Sequence, residues 1–191
     1  MEKNRLEAFS DGVLAIIITI MVLELKVPHG ADWAAIKPLL PVFLSYVLSF
    51  IYVGIYWNNH HHLIKACRRI NGSIMWANLH LLFWLSLLPF VTGWAGENHF
   101  TPLPTAFYGA VLLLSGIAYF ILQYCIIAEQ GRDSKLAASL GKDWKGKLSP
   151  VLYAIGIGLS FFQPWIAASI YVGVALMWLI PDQRVARVIK E

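Results

Sequence analysis

Six runs of apolar residues, most of them close to twenty residues long, constrain this chain more than any other feature. They span approximately Leu6–Lys26, Leu39–Trp57, Ser73–Trp94, Leu103–Ala128, Leu148–Phe162 and Trp165–Ile180, and polar or proline-rich breaks separate them. A hydrocarbon core of about 30 Å takes roughly 20 helical residues to cross. The fifth and sixth runs are short and only Gln163 and Pro164 part them, so a bent hairpin pressed on the other helices is an alternative to two full crossings. The runs are unbroken, whereas a barrel strand would alternate lipid-facing and lumen-facing residues, so the expected fold is all-α. The chain reads as one polytopic membrane domain, residues 1–191, with six transmembrane helices. With 58% hydrophobic and 14% charged residues, a water-soluble domain is excluded.

Charge gives the orientation. Thirteen of the fifteen Lys and Arg residues fall on the side that six spans assign to both termini, leaving Lys26 and Lys37 opposite. The positive-inside rule then puts both termini in the cytoplasm, with the chain in the cell membrane. The net charge of +4 sits in loops beside apolar spans, which makes it a lipid-facing charge and excludes a nucleic-acid partner. The basic stretch from Glu129 to Lys147 reads as a solvated loop near anionic headgroups. Cys67 and Cys125 fall near cytoplasmic span ends, where disulfides do not persist, and read as packing residues. The N-terminus has the basic-then-apolar look of a signal peptide, but Asp11 interrupts it and no small-residue cleavage site follows; a retained helix is expected. Trp57, Trp94, Trp165 and Trp178 lie near span ends, where indoles favour the interface, while Trp76 and Trp84 sit deeper and need partners for their N–H groups.

The first run is unusual. Between Gly12 and Glu24 lie eleven residues, all apolar except Thr19, and at 1.5 Å each they cover about 16 Å, half the hydrocarbon thickness. A helix facing lipid all round would bury Asp11 or Glu24 in hydrocarbon, so this one is expected among other helices or beside water. Counting about 100° per residue from Ile16 places Phe9, Gly12, Thr19, Ile20, Leu23 and Val27 within about 60° of it. Asp11 falls at about 220° and Ser10 at about 120°, both off that stripe. Such a stripe either packs on another helix, as apolar stripes commonly do, or lines a pore. Asp11 in turn reads either as a group that ties the helix to its neighbours or as an N-terminal cap.

The string Arg5-x-x-x-Phe9-Ser10-Asp11 at the start of an Ile-, Thr- and Leu-rich first span resembles the signature of the transmembrane protein 175 family, the lysosomal-type potassium channels and their prokaryotic relatives. The likeness extends to the six-span layout, to Trp57-Asn58-Asn59-His60-His61-His62, and to Asn78-x-His80 with Pro89-Phe90. It implies a potassium-selective cation channel in a prokaryotic membrane, with first helices meeting at the axis of a homotetramer, since animal members carry two six-span units and this chain one. It also implies a constriction at Ile16, with Thr19, Ile20 and Leu23 beside it. Arg5, Phe9, Ser10 and Asp11 are then expected to support the pore helix from behind, with His80 or Trp76 of the third span as partners. No cofactor is implied, and no metal beyond the permeating potassium ion.

No Thr-Val-Gly-Tyr-Gly filter is present, so a carbonyl ring of that kind is not available, and the expectation at the constriction the resemblance implies is partial dehydration, which disfavours the more strongly hydrated sodium ion. Two rival readings are weaker. A histidine-bound metalloenzyme lacks suitably spaced ligands, because His60, His61 and His62 are contiguous and cannot share a helix face, so no enzymatic activity is expected. A proton- or sodium-coupled secondary transporter would place an ionisable group near mid-membrane, and no Asp, Glu, Lys or Arg occupies the middle of any span.

Overall fold

The computed structural model describes residues 2–131 and 144–179, and every described element is helical. Helix α1 (Lys3–Leu23) is followed by a short helix α2 (Trp33–Ile36) and a 3-10 turn (Lys37–Leu39). Then come α3 (Leu40–Ala66), α4 (Gly72–Ser86), α5 (Leu88–Glu97), α6 (Pro102–Gln130), α7 (Trp144–Ser160) and α8 (Pro164–Leu179). Among the described residues, four segments are long and apolar enough to cross a membrane: α1, α2 with α3, α4 with α5, and α6. Helices α7 and α8, at 17 and 16 described residues, are shorter. They form two distinct helices joined at Gln163, packed on each other and on α6. The loop charges Arg132, Lys135 and Lys142 and the C-terminal Arg184, Arg187 and Lys190 lie outside the described residues, as does Ile180.

Local chemistry explains the boundaries. The third run does not form one rod: it breaks at Leu87, because Pro89 has no N–H to give Leu85 and its ring crowds that carbonyl. The second run continues about two and a half turns past Trp57 to Ala66, drawing His60, His61 and His62 into the helix. Two helix starts carry side-chain caps, Asp32 Oδ1 accepting from Ala35 N at 3.1 Å and Asn71 Oδ1 from Ile74 N at 2.9 Å.

Glycines mark the closest approaches. A Cβ on Gly96 would lie 2.7 Å from Val42 Cα, so α5 rests directly on the α3 backbone. Gly109 of α6 and Gly156 of α7 both accept the ring of Tyr171 from α8, and a Cβ on either would collide with it. Three hydroxyls bind the centre: Ser49 Oγ lies 2.6 Å from Thr92 Oγ1 and 2.9 Å from Tyr108 Oη, joining α3, α5 and α6. Helix α1 packs on α3, α4 and α5, with only 28% of its most apolar window buried, against 50% for the α4–α5 segment. This leaves most of α1 uncovered within the subunit.

Candidate functional site

The buried residues of α1 are Leu6, Ser10, Leu14, Ile17 and Met21. They cover an arc centred about 120° from Ile16, and that arc faces the rest of the subunit. The remaining face is bare. Phe9, Ile16, Ile20 and Leu23 are 52%, 59%, 42% and 76% exposed, and a Cβ added to Gly12 would meet nothing within 4 Å. The stripe counted from the sequence is thus an uncovered apolar strip in the isolated subunit. Thr19 is also exposed, and its hydroxyl donates to Ala15 O at 2.9 Å. With its proton committed to the helix, the Oγ1 lone pairs point outward.

Behind the strip, a chain of hydrogen bonds ties α1 to α3 and α4. Ser10 Oγ donates to Leu6 O at 2.8 Å and accepts from Asn78 Nδ2 at 3.0 Å. Asn78 Oδ1 lies 2.6 Å from His60 Nε2, which makes that ring nitrogen the donor. Ser10, Asn78 and His60 are all buried, so each bond replaces one that water cannot supply. A second tie lies nearer the surface, where Trp57 Nε1 donates to Asp11 Oδ1 at 3.0 Å. At the same end Lys3 Nζ donates to Lys65 O at 2.8 Å, and at the opposite end Lys26 pairs with Glu97 at 2.6 Å. The hydrogen bond to Glu97 raises the Lys26 ammonium above its ordinary value, though both groups are largely in solvent.

Two expected partners are replaced. Trp76 is 75% exposed, and His80 points away from α1, its Nε2 accepting from Trp84 Nε1 at 2.9 Å. Helix geometry accounts for this. Asn78 shares the core-facing side of α4 with Ile74, Leu81, Leu82 and Leu85, whereas residues 76 and 80 are each about 200° away from it. The N-cap alternative for Asp11 also fails, because α1 begins two turns earlier at Lys3. Arg5 is exposed, and no described residue pairs with its guanidinium. The residues that grip α1, Trp57, His60 and Asn78, stand in the strings quoted from the sequence, but no pairing could be assigned there. Polar residues on an otherwise apolar helix face were the available signal: His60 follows the buried Ser45, Ser49 and Tyr52 along one side of α3.

Histidines do not gather. His60 engages Asn78, His61 engages Glu7 and His80 engages Trp84, on separate faces. Cys67 and Cys125 are both free thiols, and burial pushes the Cys67 thiol up, away from the reactive thiolate.

Comparison with known proteins agrees with this architecture. Residues 5–89 match the family model described as endosomal/lysosomal potassium channel TMEM175. A potassium channel of Chryseobacterium sp. (strain P1-3) is 59% identical over 191 residues, covering 100% of both chains. The human endosomal/lysosomal proton channel TMEM175 is 35% identical over 101 residues, 47% of this chain and 20% of that one. Among solved structures, a lysosomal potassium-selective channel TMEM175 homolog from Chamaesiphon minutus superposes with a TM-score of 0.78 at 25% identity, over 95% of this chain and 98% of that chain.

Proposed function

Because the chain belongs to the TMEM175 family, we propose that it is a potassium-selective channel in which four copies place α1 around a common axis. One observation carries this reading: the α1 face turned about 120° from its packing face is an exposed apolar strip, from Phe9 through Ile16 and Ile20 to Leu23. In a tetramer that strip becomes the wall of the ion path. The chain is a multi-pass membrane protein, and its basic end, which carries Lys3, Lys65, Arg68 and Arg69, faces the cytoplasm of a prokaryotic cell.

The mechanism follows from the strip's chemistry. Rings of Ile16, with Ile20 and Leu23 further along, make a constriction that offers water no hydrogen bonds and therefore closes by dewetting or by a small movement of α1. An ion that passes sheds part of its shell, at a greater cost for sodium than for potassium. Thr19 Oγ1 lies beside the constriction with lone pairs free, and four such oxygens would partly replace the lost water. Asp11 is held by Trp57 behind the strip, where its charge orients the helix and does not touch the ion. The reaction is passive flow with no bond made or broken. The coupled-transporter alternative has no support from these relatives, which are named as channels.

The test is the reversal potential of purified protein in a planar bilayer with potassium on one side and sodium on the other. A current that reverses toward the potassium potential supports the reading. Reversal at zero would remove selectivity, and flux that needs a second ion in fixed ratio would make it a transporter.

A further inference from the structure

Beside the tie from Lys3 to the Lys65 carbonyl, two side-chain rungs join α1 to α3 at the basic end. Asp11 accepts from Trp57, and one turn nearer the terminus Glu7 Oε1 lies 2.7 Å from His61 Nδ1. Glu7 and Asp11 are four apart on α1, as are Trp57 and His61 on the antiparallel α3, so the rungs stack. The rings of Trp57 and His61 lie over each other, 6.4 Å between centroids and 30° between planes. The Trp57 rung has a donor that does not titrate. The Glu7 rung has an imidazole, the side-chain type whose charge can change in the neutral range. Glu7 occupies one of the unspecified positions of the Arg5-x-x-x-Phe9 string, so nothing in that string assigns it.

We propose that Glu7 and His61 are positioning residues for the pore helix, holding the basic end of α1 against α3 with a strength set by proton concentration on that side. The proposal rests on α1 lining the pore. With His61 protonated, the contact is an ion pair and a hydrogen bond together; with His61 neutral, only a hydrogen bond from the Nδ1–H tautomer remains. Both groups reach solvent, at 39% and 22% exposure, so protons have access without crossing the bundle.

The neighbouring groups leave this pairing intact. On α1, Lys3 is committed to the Lys65 and Cys67 carbonyls, Arg5 is exposed, and Asp11 is taken by Trp57. On α3, His60 is buried against Asn78, His62 stands edge-on to His61 at 5.6 Å, and Lys65 lies one turn on. From α4 come Asn78 and His80, the latter held by Trp84; from α6 come Tyr119, which donates to Asn59 O, and Glu129, which accepts from Asn71. Among the described residues, Glu7 is the carboxylate in contact with the His61 ring.

The experiment is single-channel recording of the full-length protein while pH on the basic side is stepped from about 8 to about 5.5, across the histidine range. Wild type is expected to change its open probability by about two- to fivefold, the factor that a half-exposed ion pair supports. Glu7→Gln, which keeps the shape and removes the charge, and His61→Gln should each flatten that profile while leaving potassium-over-sodium preference unchanged. The double variant should add nothing to either, and the exchange Glu7→His with His61→Glu should restore the response. A flat wild-type profile, or a profile that survives in either single variant, overturns the proposal. Absence of wild-type current at every pH overturns the pore reading itself, a result distinguishable from a channel that conducts but ignores pH.

Discussion

Removing the Ser10 hydroxyl tests how α1 is held. Ser10→Ala deletes the acceptor of Asn78 Nδ2 and leaves that amide group in a fully buried site, with both Ser10 and Asn78 at 0% exposure. In water-soluble proteins an orphaned buried donor costs about 1–3 kcal/mol. In lipid, interhelical side-chain hydrogen bonds average about 0.6 kcal/mol and reach about 1.7, because the separated helices also find partners. Ser10 belongs at the upper end, since Asn78 Oδ1 is already engaged by His60 and the amide cannot turn to a new partner without breaking that bond too. A loss of about 1–2 kcal/mol is expected, about a 5- to 30-fold shift in the folding equilibrium. Denaturant titration of detergent-solubilised protein measures it, with Ser169→Ala as control, because the Ser169 hydroxyl is exposed and bonds to Trp165 O within its own helix. The double-mutant cycle of Ser10→Ala with Asn78→Ala should show coupling of at least about 0.5 kcal/mol. Strict additivity, or a Ser10→Ala variant as stable as the control, would refute the idea that this chain of bonds fastens α1.

The remaining predictions address the strip and the packing behind it. Ile16→Asn puts an amide on the exposed strip, and bilayer recording should show a reversal potential moved toward that of a non-selective pore; unchanged selectivity would take Ile16 out of the constriction. Gly109→Ala drives a methyl into the Tyr171 hydroxyl and should cost about 1–3 kcal/mol by overpacking. Tyr171→Phe alone should cost almost nothing, because that buried hydroxyl has no hydrogen-bond partner among the described residues, and it should rescue part of the Gly109→Ala loss; both are read from thermal unfolding. Glu97→Gln returns the Lys26 ammonium toward its ordinary value, so the contact, present below that raised value and lost as pH climbs through it, disappears; with both side chains solvated, the unfolding midpoint should stay in place at physiological salt.

What the sequence determined was the part that depends on composition and period. Long unbroken apolar runs can satisfy their backbone in lipid only as helices, so the all-α class followed directly. The strip on α1 was legible because helical period alone separates Ile16, Ile20 and Leu23 from Leu14, Ile17 and Met21, and those two sets are the exposed and buried faces. Proline chemistry could have revealed the break at Leu87, and period could have revealed that Asn78 and not His80 faces the core. How two helices come together is not written in either one alone. Whether Ser10 meets Asn78, whether Asp11 meets Trp57 and whether Glu7 meets His61 depend on the axial register and rotation of α1 against α3 and α4. Packing set that register, through contacts such as Gly96 on the α3 backbone and Tyr171 between two glycines. A sequence specifies which face a residue occupies, because that is a property of one helix. The partner it finds across the interface is a property of two helices, and only the tertiary structure decides it.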